Sequence, residues 1–571
     1  LLVEFHGDDL NDVRGSLDDL VSRVHHKEHL AFDERTATDP EDVAFYWQLP
    51  RRVVPMLYRL RGSERPLPFV EDVAIPPTAL PEFLRSIQDV LKTHEVTASL
   101  FAHAGHGQLH LRPFLDLANP RHQKLVPDLA EDLYEAVFDV GGTISGEHAD
   151  GLSRTPFVRQ QYGKLYAAFR EVKRIFDPHN IFNPGKVVSD EETTFDKYLR
   201  RVGRGNEVKG NQSTSEPGFP PNDDQPSEPS AAFLPILNWS EADVAAAARN
   251  CNGCGHCRTL SPEHRMCPIF RHVPTEEASP RAKGNMMREI LTGQLAHDTL
   301  AIDEMKEVAD LCVHCHQCRL ECPANVDIPK LMVEAKGQFV ATNGLSMQQR
   351  LLARIDQVAS FGTLVSPLAN QAITNRPARW LIERFLGIAQ GRKLPRFAQR
   401  SFFRTAQRRR LTRPDRRPGH TVLYFLDIYA NWFDVQLANA LIEVLEHNGA
   451  RIYVHPKQQP SGMHMVSMGV IDRARRMAQR NVQILSEAVR QGYTIVTTEP
   501  SAALCLNVEY LSLLGTADAE VVASNTFEAS TYLWRLHQRG KLELDLQPVN
   551  ASVGYHLPCH LRALDVGSPG E

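Results

Sequence analysis

The 571-residue sequence has no uninterrupted apolar run near the roughly 18 residues that a membrane-spanning helix needs. It also lacks a dominant charge: 64 Lys and Arg stand against 69 Asp and Glu, a formal net charge of -5. A generally basic, nucleic-acid-coating chain is thereby excluded. The first residues, Leu1-Leu2-Val3-Glu4-Phe5, show neither a starting Met nor the basic-then-apolar order of a secretory leader. The expectation is a segment of a longer protein. Cysteine is nearly missing outside two short stretches: eight of the 10 fall within Cys251 to Cys267 or Cys312 to Cys322. A secreted disulfide scaffold is short and spreads its cysteines through the fold. Clustered thiols in a long chain without a leader point instead to reduced cysteines that hold metal, and to a cytoplasmic location.

At roughly 100–200 residues per domain the length predicts three or four domains. Residues 1–190 mix strand-like runs with helical periodicity. Phe83, Ile87, Val90 and Leu91 predict an amphipathic helix over 82–93, and Ser99–His103 and Gln108–Arg112 predict a hairpin around Gly105-His106-Gly107. Residues 203–231 are rich in Gly, Pro, Ser and Asn, which predicts a linker, bounded as 191–234. Residues 235–345 carry the cysteines between helical stretches. Residues 346–420 read as a basic helical connector. Its Arg376–Arg417 portion holds only two acidic residues and reads as a solvated helix and linker or as a surface for an anionic lipid or acidic redox partner. From Thr421 onward strand and helix alternate (Thr421–Leu426, Val435–Leu445, Arg451–His455, Val470–Arg490, Thr494–Thr498, then Ser552–Leu557), which predicts a mostly parallel sheet. The fold class expected is multidomain: an α+β domain, a helical two-cluster ferredoxin domain and a truncated α/β domain.

The two cysteine groups read Cys251-x2-Cys254-x2-Cys257-x9-Cys267-Pro268 and Cys312-x2-Cys315-x2-Cys318-x3-Cys322-Pro323. Cysteines at every third position let one loop wrap three corners of a 4Fe–4S cube, and the fourth, followed by Pro, ligates the other cluster in two-cluster ferredoxins. One cluster is therefore assigned Cys251, Cys254, Cys257 and Cys322, and the other Cys312, Cys315, Cys318 and Cys267. Structural zinc uses two C-x2-C pairs with a long gap rather than two triplets. Cys312-Val313-His314-Cys315-His316 also matches a haem-attachment string, here embedded in a longer cluster motif. Such clusters pass single electrons between a two-electron centre and an external acceptor, so a redox site should adjoin them.

Residues 103–110 read His-Ala-Gly-His-Gly-Gln-Leu-His, and a glycine-turned hairpin brings His103 and His110 to one side. Glu147 and His148 follow in a glycine-flanked string from Gly141 to Gly151. Two His and a carboxylate suffice for a divalent metal with open positions, while a His satisfied in a turn and a surface Glu-His pair are the plainer alternative.

Glu71-Asp72-Val73-Ala74-Ile75-Pro76, the His103–His110 stretch, Ser145-Gly146-Glu147-His148, Phe176-Asp177-Pro178 and Asn183-Pro184-Gly185-Lys186 together resemble the C-terminal, substrate-side domain of the flavin-dependent D-2-hydroxy acid dehydrogenases. The resemblance implies FAD as cofactor, a divalent metal (Zn or Mn) on His103, His110 and Glu147, and His148 as base. It implies Arg52 on the substrate carboxylate, where a surface arginine is an equally good reading, and flavin contacts from Asn183 and Lys186. This chain has His106-Gly107-Gln108 where the family often has Asp-Gly-Asn. Residues 421–571, with Tyr555 to His560, resemble the cysteine-rich domain behind ferredoxin modules in glycolate-oxidase-like and heterodisulfide-reductase-like proteins. Pro460-Ser461-Gly462-Met463 stands where relatives carry Cys-Cys-Gly, so that Cys505 and Cys559 are too few for a complete four-thiolate site in these residues; a third cluster would draw further ligands from beyond Glu571, and a buried, incidental Cys505 is the plainer reading. The domain order is similar to bacterial FAD and iron–sulfur dehydrogenases of D-2-hydroxyglutarate. That implies oxidation of a D-2-hydroxy acid, with D-lactate and glycolate as alternatives, and electrons leaving through two 4Fe–4S clusters to an acceptor protein or quinone. Oligomerisation is a family-level expectation, as is a peripheral position at the inner membrane. A non-catalytic iron–sulfur electron-transfer protein is the rival reading.

Overall fold

Leu109, Leu111 and Leu115 alternate with the polar Gln108, His110 and Arg112, and that alternation makes a strand with one face toward a core. The computed structural model describes the chain except residues 59, 61, 191–193, 195–198, 200–232, 262–263, 415–419, 546, 548–549 and 571. Most of the expected linker lies outside the described residues. Two compact units divide the chain, Leu1–Arg200 and Arg201–Glu571.

In the first unit four strands, β1 (Arg65–Pro66), β2 (Val73–Ala74), β3 (Ala98–His103) and β4 (Gln108–Leu115), form an antiparallel arrangement centred on β4. Leu109, Leu111 and Leu115 of β4 are buried with Phe83 and Ile87 of helix Leu80–Thr93 and with Leu129, Leu133 and Tyr134 of helix Pro120–Asp139. Each such side chain contributes about 1.5–3 kcal/mol by leaving water, which fixes the strand register. The helix expected from residue 82 starts at Leu80, because Pro81 fits a first helical turn where its missing N–H is not needed. Register pairs Phe101 with His110 and His103 with Gln108, so these four share the face opposite Leu109 and Leu111. The turn needs glycine: Gly107 has φ +70°, and a Cβ there would sit 1.9 Å from the Ile75 carbonyl oxygen.

In the second unit helices Glu241–Arg249, Pro280–Leu291, Asp303–Asp310 and Ile328–Asn343 frame the cysteine loops. Glu334, fully buried in the last of these, accepts the backbone N–H groups of Ile236 (2.7 Å) and Leu237 (3.0 Å) and the Trp239 indole N–H (2.9 Å). A buried carboxylate is tolerated because its lone pairs are served. The basic stretch folds largely as helices, Ser366–Thr374, Arg376–Leu386 and Phe402–Arg408, while Arg416 and Arg417 lie outside the described residues. Beyond it β5 (Thr421–Tyr424), β6 (Arg451–Tyr453), β7 (Thr494–Thr497) and β8 (Thr526–Glu528) form a parallel sheet in the order β6-β5-β7-β8. Its strands are largely buried on both faces, as parallel sheets require. One apolar core includes Val333 and Leu237 from the cysteine-bearing region together with Phe425, Ile495 and Leu506. The short strand β8 is an addition to the expected set. Conversely, Ser552–Leu557 is not a strand: it finds no ladder partner among the described residues, and Val553 is 88% exposed.

Candidate functional site

Asp72 organises the histidine region. Its carboxylate, 0% exposed, accepts the backbone N–H groups of Gly146 (3.1 Å), Glu147 (2.9 Å) and His148 (2.7 Å), the Ser145 hydroxyl (3.2 Å) and the Gln108 amide (2.6 Å). Burial raises the Asp72 carboxyl, but the N–H groups of His148 and Glu147 and the Gln108 amide outweigh it and hold the group below its ordinary value. Arg154, itself buried, clamps the same loop by donating to the carbonyls of Ala149 (2.6 Å) and Glu71 (2.5 Å). Sequence reasoning assigns a role to neither residue. Asp72 is legible only as part of a motif, since its loop partners lie more than seventy residues away.

This scaffold gathers ligand atoms of Asp72, His110, Glu147 and His148 within 4.8 Å of one another. His110 Nε2 lies 3.6 Å from Glu147 Oε1, and His148 Nε2 lies 3.8 Å from the same oxygen. His148 Nδ1 is 3.4 Å from Glu71 Oε1, whose other oxygen pairs with Arg112 at 2.6 Å. His103 stands beside the group, its ring edge-on to His110 at 5.4 Å between centroids. Burial pushes His110 below its ordinary value; Glu71 opposes this, while His148 and His103 add to it. A buried imidazole beside a carboxylate is a donor set that fits a divalent cation.

Arg52 is exposed on helix Pro40–Leu57, and among the described residues Arg112 and Arg154 pair with carboxylates of the cluster region. Asn183 and Lys186 sit on an exposed loop and bond to each other (Nζ to Oδ1, 3.0 Å). Asp177 shapes that loop by accepting the N–H groups of Ile181 and Phe182 at 2.8 Å, and the loop is tied back through Val187 N–H to the Thr155 hydroxyl.

All ten cysteines are free thiols. Cys251, Cys254, Cys257 and Cys322 line one cavity, with Gly255, Arg281 and a wall that includes Cys318. Burial pushes the Cys257 thiol up to about 11, and Cys251, Cys254 and Cys322 are the thiols that add to it. Around Cys318 the neighbouring thiols are Cys312, Cys315 and Cys267. Backbone N–H groups are already aimed at the sulfurs: Arg281 at Cys257, Ala324 and Val326 at Cys322, His314 at Cys312 and Gln317 at Cys315. Burial resists ionisation of these thiols, and convergent N–H donors reward it once metal takes the proton's place. The donor set therefore fits iron–sulfur clusters. Two buried lysines flank the second set. Lys283 Nζ donates to the carbonyls of Glu277 and Ala278 at 2.8 Å, and Lys336 Nζ to those of Cys312 (2.8 Å) and Ser467 (3.0 Å).

His314 and His316, which in the sequence belong only to a haem-like string, are both buried with Glu509 beside them. In the last domain Cys505 is buried, its thiol on the Ser461 carbonyl (3.3 Å), while Ser461 itself bonds Asp427. Cys559 is exposed.

Residues 1–187 match the family model of the C-terminal domain of FAD linked oxidases, and residues 247–326 that of the 4Fe-4S dicluster domain. D-2-hydroxyglutarate dehydrogenase of Escherichia coli (strain K12) is 24% identical over 580 residues, covering 93% of this chain and 54% of that protein. One subunit of the anaerobic glycerol-3-phosphate dehydrogenase from the same organism is 27% identical over 316 residues, 55% of this chain and 75% of that protein. Glycolate oxidase subunit GlcD of Bacillus subtilis (strain 168) is 28% identical over 162 residues, 28% of this chain and 34% of that protein. The chain thus spans about half the length of the D-2-hydroxyglutarate dehydrogenase it matches over most of its own. Residues 1–187 are an FAD-linked oxidase C-terminal domain and residues 247–326 a 4Fe-4S dicluster domain, in a chain homologous over most of its length to D-2-hydroxyglutarate dehydrogenases.

Proposed function

We propose that the full-length protein oxidises a D-2-hydroxy acid, D-2-hydroxyglutarate by preference, to the 2-oxo acid, and passes the electrons through two 4Fe–4S clusters to an external protein or quinone. The observation that carries the reading is the convergence of His110, Glu147 and His148 on a loop fastened by Asp72, within an FAD-linked oxidase domain. His110 and Glu147, with His103 alongside, would hold a divalent cation such as Zn or Mn. When bound, that cation supplies polarisation of the substrate hydroxyl and carboxylate, and FAD supplies the acceptor for the C2 hydride.

The chain's own residues position and deprotonate. His148 is partly exposed, so a substrate hydroxyl can reach it, and its Nδ1 faces Glu71. That carboxylate favours the tautomer with the proton on Nδ1 and leaves Nε2 to accept the hydroxyl proton. Arg112 neutralises Glu71 and keeps it from competing for the cation. Arg52, Asn183 and Lys186 are assigned to substrate carboxylate and flavin contacts, the last two from their shared loop. Cys251, Cys254, Cys257 and Cys322 hold one cluster, and Cys312, Cys315, Cys318 and Cys267 the other. No helix among the described residues is long and apolar enough to cross a membrane.

A second reading, a non-catalytic iron–sulfur electron carrier, is favoured by the match of the glycerol-3-phosphate dehydrogenase component to 55% of the chain. One experiment separates them. The complete protein is mixed anaerobically with D-2-hydroxyglutarate, D-lactate or glycolate, with and without chelator, and flavin absorbance is followed. Fast bleaching by one acid, abolished by chelation and by His148→Asn, is expected; no bleaching by any of them, with flavin and clusters intact, would leave the electron-carrier reading.

A further inference from the structure

We propose that His314, His316 and Glu509 bind a divalent first-row cation, Zn2+ or Fe2+, separate from the cluster irons and from the cation assigned to His110 and Glu147. The three side chains are 3%, 2% and 5% exposed. His314 Nε2 lies 3.0 Å from His316 Nε2 and 3.2 Å from Glu509 Oε1, and His316 Nε2 lies 3.0 Å from the same oxygen. With bonds of about 2.1 Å, neighbouring ligands stand about 3.0 Å apart around an octahedral cation such as Fe2+ and about 3.4 Å apart around tetrahedral Zn2+, so this near-equilateral triangle has close to the dimensions of one coordination face. Two imidazoles with one carboxylate select Zn2+ or Fe2+ over Mg2+ and Ca2+, which take oxygen shells.

Hydrogen bonding between the rings and the carboxylate is poorly aligned and accounts for only part of the cluster. One proton shared between the two Nε2 atoms serves that edge alone. Glu509 Oε1 is fully enclosed and receives no aligned N–H, although two ring nitrogens lie within 3.2 Å. Lone pairs aimed at a common centre produce this pattern, short contacts whose hydrogens would point past the neighbour. His560 takes a supporting place: its Nδ1 meets the Ser501 hydroxyl at 2.8 Å and its Nε2 the His314 carbonyl at 3.0 Å. Both its ring nitrogens are engaged, so it steadies the ligand loop without joining it.

The backbone offers an independent pointer. His314 and His316 have φ of +57° and +60°. In the sister loop the corresponding positions are Gly253 and Gly255, at +76° and +73°. The loop shape is one that glycine adopts freely, yet the second loop places histidine at both positions. Strained residues that persist call for a role that needs their side chains. Glu509 comes from the segment Cys505–Glu509 behind the parallel sheet, so the cation would tie the cluster loop to that sheet.

The test counts metal in complete protein isolated anaerobically in a Glu147→Gln background, which removes a ligand of the other assigned cation. Zinc, and iron in excess of acid-labile sulfide, are measured after exhaustive dialysis against chelator. One equivalent per chain is expected, falling at least tenfold in His314→Gly, His316→Gly and Glu509→Gln with sulfide content and cluster EPR unchanged. The glycine variants adopt the sister loop's own residues and should fold. No equivalent beyond sulfide-matched iron in the parent protein, or an equivalent unchanged in all three variants, would overturn the proposal. If a glycine variant loses sulfide, the parent count and Glu509→Gln decide. The readout needs no activity, so failure here and failure of the dehydrogenase reading are separable.

Discussion

The two cysteine loops share their C-x2-C-x2-C spacing and their backbone path, yet differ in almost everything around it. The first carries glycine at its two left-handed positions, leaves Cys254 exposed and has Arg281 in its wall. The second carries histidine at both positions, buries Cys318 and has Lys283 and Lys336 buried alongside. Spacing therefore specifies the ligands, whereas the flanking residues specify the electrostatic setting. An open site suits exchange with an acceptor. An enclosed one beside two cations suits an electron held inside the protein, because nearby positive charge favours the reduced, more negative cluster.

The most damaging way to probe that contrast is to remove a crossing ligand. Cys322→Ala should remove the cluster of the first loop, although it lies beside the second, and so lose about half of the cluster iron; Cys318→Ala should spare the first. Iron and sulfide counts with EPR check this, and loss of the second loop's signal in Cys322→Ala would break the crossed assignment. Asp72→Asn offers a control in the other unit. It turns a five-fold acceptor into a half-donor, and metal retention at His110 and Glu147 should weaken roughly 10–100-fold while both clusters stay. Lys283→Met sharpens the electrostatic contrast: the midpoint potential of the second cluster should fall while that of the first holds, in an EPR redox titration. Three carbonyls, of Glu277, Ala278 and Ser279, lose a donor in that variant, at a stability cost of about 1–3 kcal/mol. Gly255→Ala should cost the first loop about 1 kcal/mol, measured by denaturant unfolding of the clustered protein, since φ there is +73°. The last test is one of pH, in the parallel-sheet domain. Withdrawal from water, with the Asp427 charge second, pushes Glu499 up to about 8. A raised carboxyl binds its proton more tightly when folded, so stability should decline as pH rises from about 4.5 toward 8, and the decline should flatten in Glu499→Gln when melting is followed against pH.

Much of the framework was legible because it rests on local patterns. Phe83 and Ile87 recur at helical spacing and are buried as that spacing requires. His103 and His110 flank a glycine turn and, by strand pairing, share a face. The cysteine spacing yields the grouping that the structure brings together. What escaped notice depends on distant partners. Asp72 looks like any surface acid until residues 145–148 fold over it, and Glu509 until a loop nearly two hundred residues earlier meets it. Ser552–Leu557 failed for the same reason in reverse: its composition suits a strand, but a strand exists only where another offers its edge. Lys283 and Lys336 were invisible among the chain's other cations, since burial rather than residue type gives them their effect.

The crossing of Cys267 and Cys322 also bears on how the protein is made. On the assignment proposed above, each cluster would close the chain across the loop of the other, so the first to be inserted would shorten the search for the second. Cluster delivery and folding then become one cooperative event. A half-loaded chain would be a short-lived form, exposed to proteases until the second delivery, and loss of either proposed cluster would loosen the tether of the other.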